Sequence, residues 1–159
     1  MPSEAMQFAV VLERIGQDVL AQLNGISNTD LNRPLPLPET NSLFALATHL
    51  VGAGEFWVLV LVGEQTIPRD RAAEFYATGA LPDLVTRYER WMTAVHQVLD
   101  PLPDAKMGQI VEPPVVYRYS SGDGPTTVRD ALLHAVEHSA LHLGHIQITR
   151  QVLGYAPPS

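Results

Sequence analysis

Hydrophobic residues recur at helical spacing through most of this chain. Near the start, Phe8, Leu12 and Ile15 would share one face of a helix, with polar residues on the opposite face. Comparable stretches occur three more times, and glycine or proline follows each of the four within a few residues. The pattern predicts four long helices, which we place at about residues 4–24, 42–62, 81–99 and 126–153.

Three connectors join these helices. The first contains the prolines of LNRPLPLPET, which are expected to prevent regular structure. The second, residues 63–79, could hold a short helix near residues 69–76, and the third, residues 104–124, contains VVYRY, which could be a short strand. Four long helices with little strand signal predict an all-α protein, a four-helix bundle with long connections. We expect one domain over residues 1–159, because no repeat or composition shift is visible.

Composition limits the compartment and the partners. The net charge is −7 and Lys106 is the only lysine, so a nucleic-acid-binding surface is not expected. The absence of cysteine excludes disulfides and thiolate metal ligands, and it fits a cytoplasmic protein. The most apolar stretch, residues 44–62, contains His49 and Glu55 and therefore fits a buried helix better than a membrane span.

Four of the six histidines stand in one short run, HAVEHSALHLGHI, in the last predicted helix. They are His134, His138, His142 and His145. Each helical residue turns by about 100°, so these four side chains fall within an arc of roughly 80°. Imidazole is the commonest side-chain metal ligand, and two histidines four residues apart can reach one ion. This face of the last helix is therefore the candidate functional surface.

A facing helix could complete a metal site in the core of a bundle. The second predicted helix offers His49, within the apolar run LFALATHLVGAGEFW. Alone, such a histidine is more often a hydrogen-bonded core residue than a ligand. The residues leave three interpretations of the histidine face open: a metal site, a polar seam, and a histidine-lined dimer contact. The aromatic residues of the helices, and His96, have the spacing of core or surface side chains; the aromatic ones are Phe56, Trp57, Tyr88 and Trp91.

The chain resembles the DinB-like superfamily, small four-helix-bundle proteins that include damage-inducible and YfiT-like members. The resemblance lies in the spacing S-x6-H from Ser42 to His49, in H-x3-H-x3-H-x-G-x-I in the last helix, and in PTTVRDALLH before it. It covers nearly the whole chain, and it implies a bundle of the DinB/YfiT type and a homodimer. Residue by residue, it places the family's metal triad on His49, His138 and His142, with Gly144 as the marker glycine.

The resemblance also implies the chemistry of the site. Three imidazoles suit a divalent ion, with zinc or nickel first, and leave an open position on the ion. There the ion would lower the pKa of a thiol or of water. The second nitrogen of each ligand needs a partner. Glu55 and Glu137 lie nearby in the sequence, but their helical angles do not aim them at the ion. Leu143 and His145 stand where arginine and glutamine are usual, so any co-substrate preference set there would differ from that of relatives.

Two functions follow from a metal site. One is an enzyme of the S-transferase type that activates a low-molecular-weight thiol toward a small-molecule substrate, or a variant that activates water. The other is a non-catalytic, metal-stabilised binding module in a stress response, and a helical dimer without metal is a third interpretation.

His134 and His145 could line the site, transfer protons or add a ligand. Arg118 in the third connector could bind an anionic substrate, although a solvated loop is the plainer interpretation.

Overall fold

The computed structural model describes residues 1–113 and 124–158, and this part of the chain is mostly helical, as predicted. Its longest elements lie close to the four predicted helices. In chain order the elements are α1 (Glu4–Leu23), α2 (Asn28–Leu31), α3 (Leu43–Gly54), a π-helical segment (Glu55–Val62), α4 (Arg71–Glu74), α5 (Leu81–Leu99), a 3₁₀ turn (Asp104–Lys106), β1 (Ile110–Val111), β2 (Thr126–Thr127) and α6 (Val128–Val152).

Side-chain caps set the start of three long helices. The hydroxyl oxygens of Ser3, Ser42 and Thr127 accept hydrogen bonds from the backbone N–H three residues further on, at 3.2, 3.0 and 3.1 Å respectively. Each cap satisfies a donor that the first helical turn leaves unpaired. Helix α5 begins without a side-chain cap, with Pro82 in its first turn, where the missing N–H costs nothing.

The long helices enclose one apolar core. Helices α1 and α3 each pack against both α5 and α6. Tyr88 and Trp91 of α5 are buried between them, and the Tyr88 hydroxyl donates to the carbonyl oxygen of Ala47 at 2.7 Å. Gly54 allows a close approach of α3 to α5, because a Cβ there would lie 2.5 Å from the Trp91 indole. These contacts fix the rotation of α3, and with it the direction of His49.

Helix α3 and the π-helical segment together form the most apolar element. They are long and apolar enough to cross a membrane, but 78% of the qualifying window is buried inside the fold. The segment therefore serves as a core helix, as the sequence indicated. The sequence did not indicate the change of hydrogen bonding after Gly54, because seven consecutive apolar residues, 56–62, carry no periodicity that could distinguish the two helix types.

The connectors differ from the sequence expectation in two places. Residues 28–31 form the short helix α2, capped by Ser27, because the prolines that break regular structure begin only at Pro34. The short helix predicted near residues 69–76 is α4, which is shorter than expected. Strands β1 and β2 pair antiparallel at the entry to α6. The VVYRY sequence, with Arg118, lies outside the described residues.

Candidate metal centre

Helices α3 and α6 bring together the three histidines that the sequence resemblance selected. His49 projects from α3 and is buried, whereas His138 and His142 project from successive turns of α6 and are half-buried. One nitrogen of each ring lies within 4.8 Å of the others. The ring centroids of His49 and His142 are 4.7 Å apart, and those of His138 and His142 are 4.4 Å apart. The three imidazoles therefore surround one small space between the two helices.

The spacing of the nitrogens can be compared with the requirement of a bound ion. Nε2 of His49 lies 3.1 Å from Nε2 of His138. Two nitrogens at about 2.0–2.1 Å from one tetrahedral ion are roughly 3.3 Å apart. The two rings thus present their Nε2 atoms to a common point with nearly the separation of zinc ligands. Three neutral imidazoles are also a donor set that zinc and nickel accept.

A carboxylate fixes the second nitrogen of His49. Nδ1 of His49 lies 2.9 Å from Oε1 of Glu74, which is buried at the end of α4. Arg69 donates to both oxygens of the same carboxylate, at 2.8 and 2.9 Å. Burial opposes ionisation of Glu74, but the hydrogen bonds from His49 and Arg69 outweigh it and lower the pKa of the carboxyl group. An ionised Glu74 accepts the Nδ1 proton and leaves the Nε2 lone pair of His49 free.

The two α6 histidines of the triad are held in the neutral form that metal binding requires. Burial lowers the pKa of His138 to about 3, and repulsion from the neighbouring imidazoles adds to the effect. Burial likewise lowers the pKa of His142 to about 4. Both rings are therefore deprotonated at neutral pH without any bound ion. This is the state in which each ring offers a nitrogen lone pair.

The other two histidines of α6 flank the triad from its exposed side. Nδ1 of His145 lies 3.3 Å from Nδ1 of His142, and the His145 ring is exposed. The exposed ring of His134 contacts the Trp57 indole, with centroids 4.3 Å apart, and stacks at 6.0 Å on His138. Trp57, expected in the core, packs only partly against it and borders the site. A side chain at the marker glycine, Gly144, would meet no atom within 4 Å.

The carboxylates that lie near the triad histidines in the sequence have other surroundings in the structure, in line with their helical angles. Glu55 accepts two hydrogen bonds from Arg87, at 3.0 and 2.7 Å, and Glu137 is exposed on α6. The partner that the structure provides is Glu74, 25 residues beyond His49. One usable signal was present in the sequence, the short helix expected in the second connector. The position of that helix over α3 could not be predicted from spacing.

The remaining candidates lie away from the triad or outside the described residues. His96 bridges two helices, with Nε2 3.1 Å from Glu13 and Nδ1 3.0 Å from Asp100, and takes no part in the site. Phe56, Tyr88 and Trp91 are buried, as expected of core residues. Arg118 lies in the part of the chain that the structure does not describe, so its expected role in anion binding stays a prediction.

Comparison with known proteins gives a family and a fold. A family model described as the DinB superfamily matches residues 12–146. Among solved structures, the crystal structure of a conserved protein from Enterococcus faecalis superposes with a TM-score of 0.77 at 13% sequence identity. The match covers 98% of this chain and 100% of that one, so the two proteins share a fold over nearly the whole of this chain. Comparison with curated proteins finds no match.

Proposed function

Because the chain belongs to the DinB superfamily, we propose that His49, His138 and His142 bind one divalent metal ion, with zinc or nickel first. The observation that carries the proposal is the approach of Nε2 of His49 to Nε2 of His138 at 3.1 Å. These residues are 89 positions apart and lie on different helices. The third imidazole stands beside them, and Glu74 supports the first.

The proposal extends to the architecture. We assign the chain to the four-helix bundle of the DinB/YfiT type, as one domain over residues 1–159. The packing of α1 and α3 against both α5 and α6 supports this assignment, and so does the likeness to the Enterococcus faecalis structure over nearly the whole chain. In such a bundle a metal site draws its ligands from facing helices, as α3 and α6 would provide them here.

The chemistry proposed for the site is activation of a small-molecule thiol, in an enzyme of the S-transferase type. When bound, the ion supplies positive charge that lowers the pKa of a thiol, or of water, at the position that three protein ligands leave open. The chain contains no cysteine, so the thiol would be a low-molecular-weight co-substrate from solution. Activation of water for hydrolysis is the variant of the same proposal.

The residues around the triad suit such a reaction. His138 and His142 are half-buried, so the site opens toward the exposed side of α6. His134 and His145 stand on that side, and an imidazole there can take up the proton that a thiol or water releases. Trp57 beside His134 adds an apolar wall against which a substrate can lie. We propose His134 and His145 as the proton-transfer candidates.

A non-catalytic role in a stress response is the second candidate function. It is favoured by the burial of His49 and by its bond to Glu74, which would let an ion strengthen the fold as structural metal sites do. An enzyme needs an exchangeable position on the ion where a thiol or water can bind, whereas a purely structural site is closed. Cobalt can replace zinc as a coloured probe, and a change of its absorption on addition of a thiol would favour the enzyme over the binding module.

Elemental analysis of protein purified without an affinity tag tests the metal proposal. We expect about one divalent ion per chain, and we expect His138→Ala to lose it because a triad ligand is removed. His96→Ala is the matched control, since His96 is a histidine outside the site, and it should retain the ion. A native protein that contains no metal, and takes up neither zinc nor nickel, would contradict the proposal.

We also propose that the protein is a homodimer and that it is located in the cytoplasm. An exposed apolar face of α6 supports the dimer, and the absence of cysteine supports the compartment. Cell fractionation would test the compartment, and the mass of the protein in solution would test the dimer.

A further inference from the structure

The segment between the π-helical segment and α5 closes over His49 through two neighbouring residues. Oε1 of Glu74 lies 2.9 Å from Nδ1 of His49, and the Phe75 ring lies against the His49 ring with centroids 4.7 Å apart. Arg69 donates to both Glu74 oxygens, at 2.8 and 2.9 Å. Residues 69–75 thus hold His49 at its second nitrogen and on one ring face.

Helix α3 leaves a place for this carboxylate. Gly52 lies three residues after His49, on the same side of the helix. A Cβ at position 52 would overlap Oε2 of Glu74 and would lie 3.5 Å from Nε of Arg69. The glycine therefore allows the ionised carboxylate to lie against the helix backbone, within reach of His49.

We propose that Glu74 is a positioning residue that holds the proton of His49 on Nδ1 and couples metal binding at Nε2 to the docking of residues 69–75. The inference rests on the proposed function, because the ion is the ligand that His49 is positioned for. A carboxylate partner fixes the tautomer and the ring orientation of a metal-binding histidine and raises the basicity of the ligand nitrogen.

The coupling acts in both directions. An ion at Nε2 withdraws electron density from the imidazole, so Nδ1–H becomes a stronger donor to Glu74. By thermodynamic reciprocity, if metal binding strengthens the hydrogen bond from His49 to Glu74, then formation of that hydrogen bond strengthens metal binding by the same free energy. Docking of residues 69–75 and occupation of the site therefore stabilise one another.

The test compares zinc affinities by competition with a chromophoric chelator. Glu74→Gln removes the negative charge and keeps the size of the side chain, and we expect it to weaken zinc binding by about 10–100-fold. Gly52→Ala, which displaces the Glu74 carboxylate without changing it, should weaken binding in the same direction. Glu55→Gln is the matched control, because Glu55 also accepts two bonds from an arginine but touches no triad histidine; it should leave the affinity unchanged.

A second readout separates positioning from a general loss of stability. Backbone amides of residues 69–77 should exchange more slowly when zinc is added to the wild type and to Glu55→Gln, but not when it is added to Glu74→Gln. In the metal-free protein, nitrogen NMR of the imidazoles should place the His49 proton on Nδ1. Wild-type affinity in Glu74→Gln, or a His49 proton on Nε2, would overturn the inference.

The two proposals fail in distinguishable ways. A wild type that binds no zinc or nickel contradicts the proposed function, and the NMR measurement on the metal-free protein still decides where His49 carries its proton. A wild type that binds zinc with no dependence on Glu74 contradicts the positioning role alone.

Discussion

Among individual residues, the three triad histidines differ at their second nitrogen. Nδ1 of His49 is bonded to Glu74, and Nδ1 of His142 contacts His145. Nδ1 of His138 is buried and has no hydrogen-bond partner among the described residues. Because His49 carries its proton on Nδ1, the close contact between the two Nε2 atoms requires His138 to donate from Nε2 in the metal-free protein. His138 must therefore give up that proton before it can serve as a ligand.

Titration of the α6 histidines leads to a prediction about acid stability. The pKa values of His138 and His142 are lowered to about 3 and about 4, from about 6.5 in an unfolded chain. Well above pH 6.5 neither ring changes the free energy of unfolding, because both are neutral in the folded and in the unfolded chain. At lower pH the unfolded chain takes up protons that the folded chain does not. The free energy of unfolding of the metal-free protein therefore falls by up to about 1.4 kcal/mol per histidine for each pH unit. From pH 7 to pH 5.5 we expect a loss of about 2 kcal/mol in urea denaturation.

His96 provides the control for this measurement, because its titration has the opposite sign. Burial opposes protonation, but hydrogen bonds to Asp100 and Glu13 raise the pKa of His96. Its ion pairs stabilise the protein at acid pH, and this contribution is lost as the pH rises through the raised value. The three side chains are 30%, 43% and 40% exposed, so solvent screens the effect. His96→Gln should therefore lose slightly more of its free energy of unfolding between pH 7 and pH 5.5 than the wild type does. A wild type whose free energy of unfolding does not change over this range would contradict the prediction.

The residues that could be predicted from the sequence are those with regular spacing on one element. Helical spacing placed the four α6 histidines on one face, and the facing apolar helix offered His49 as a candidate. The resemblance then selected the triad from these residues. Glu74 and Arg69 could not be found in this way, because their role depends on where an irregular connector crosses α3. The helical spacing of Trp57 predicts a core position, and only the packing of α6 places it beside His134.

At the scale of helices, the sequence predicted the long elements within a few residues. Their ends are marked by local chemistry, such as the caps Ser42 and Thr127, which can be identified in one short stretch. The start of the π-helical segment has no such mark. Helix α2 could not be predicted with the same certainty, because its one local signal, the Ser27 cap, is followed closely by prolines that break regular structure.

Two helix glycines should respond to alanine with opposite signs. Alanine within a helix is favoured over glycine by about 1 kcal/mol. At Gly144 a Cβ meets no atom within 4 Å, so Gly144→Ala should stabilise the fold by about 0.5–1 kcal/mol. At Gly54 the Cβ would lie 2.5 Å from the buried indole of Trp91, and overpacking costs about 1–3 kcal/mol. Gly54→Ala should therefore lower the free energy of unfolding measured in urea, and equal effects at both positions would contradict this account.

For the whole molecule, the two sides of α6 have different surroundings. One side packs against α1 and α3 and carries the two triad histidines. The other side exposes large apolar side chains that fall within about 100° of arc; they are Leu133, Leu141, Ile148 and Val152. Apolar groups aligned on one helix face are typical of an interaction surface. The net charge of −7 makes two copies repel one another, so a dimer would need such an apolar contact.

The homodimer is therefore predicted to form through this face of α6. Light scattering should give about twice the chain mass of 17.4 kDa, as expected of the common twofold-symmetric dimer. Ile148 lies near the middle of the exposed arc, and Ile148→Glu would bury two like charges in the interface, so this variant should be monomeric. Val10→Glu on α1 is the matched control, because Val10 is an equally exposed apolar residue on another helix and should not affect the dimer. If Ile148→Glu keeps the wild-type mass while the wild type is dimeric, the interface lies on a different face; a monomeric wild type contradicts the dimer itself.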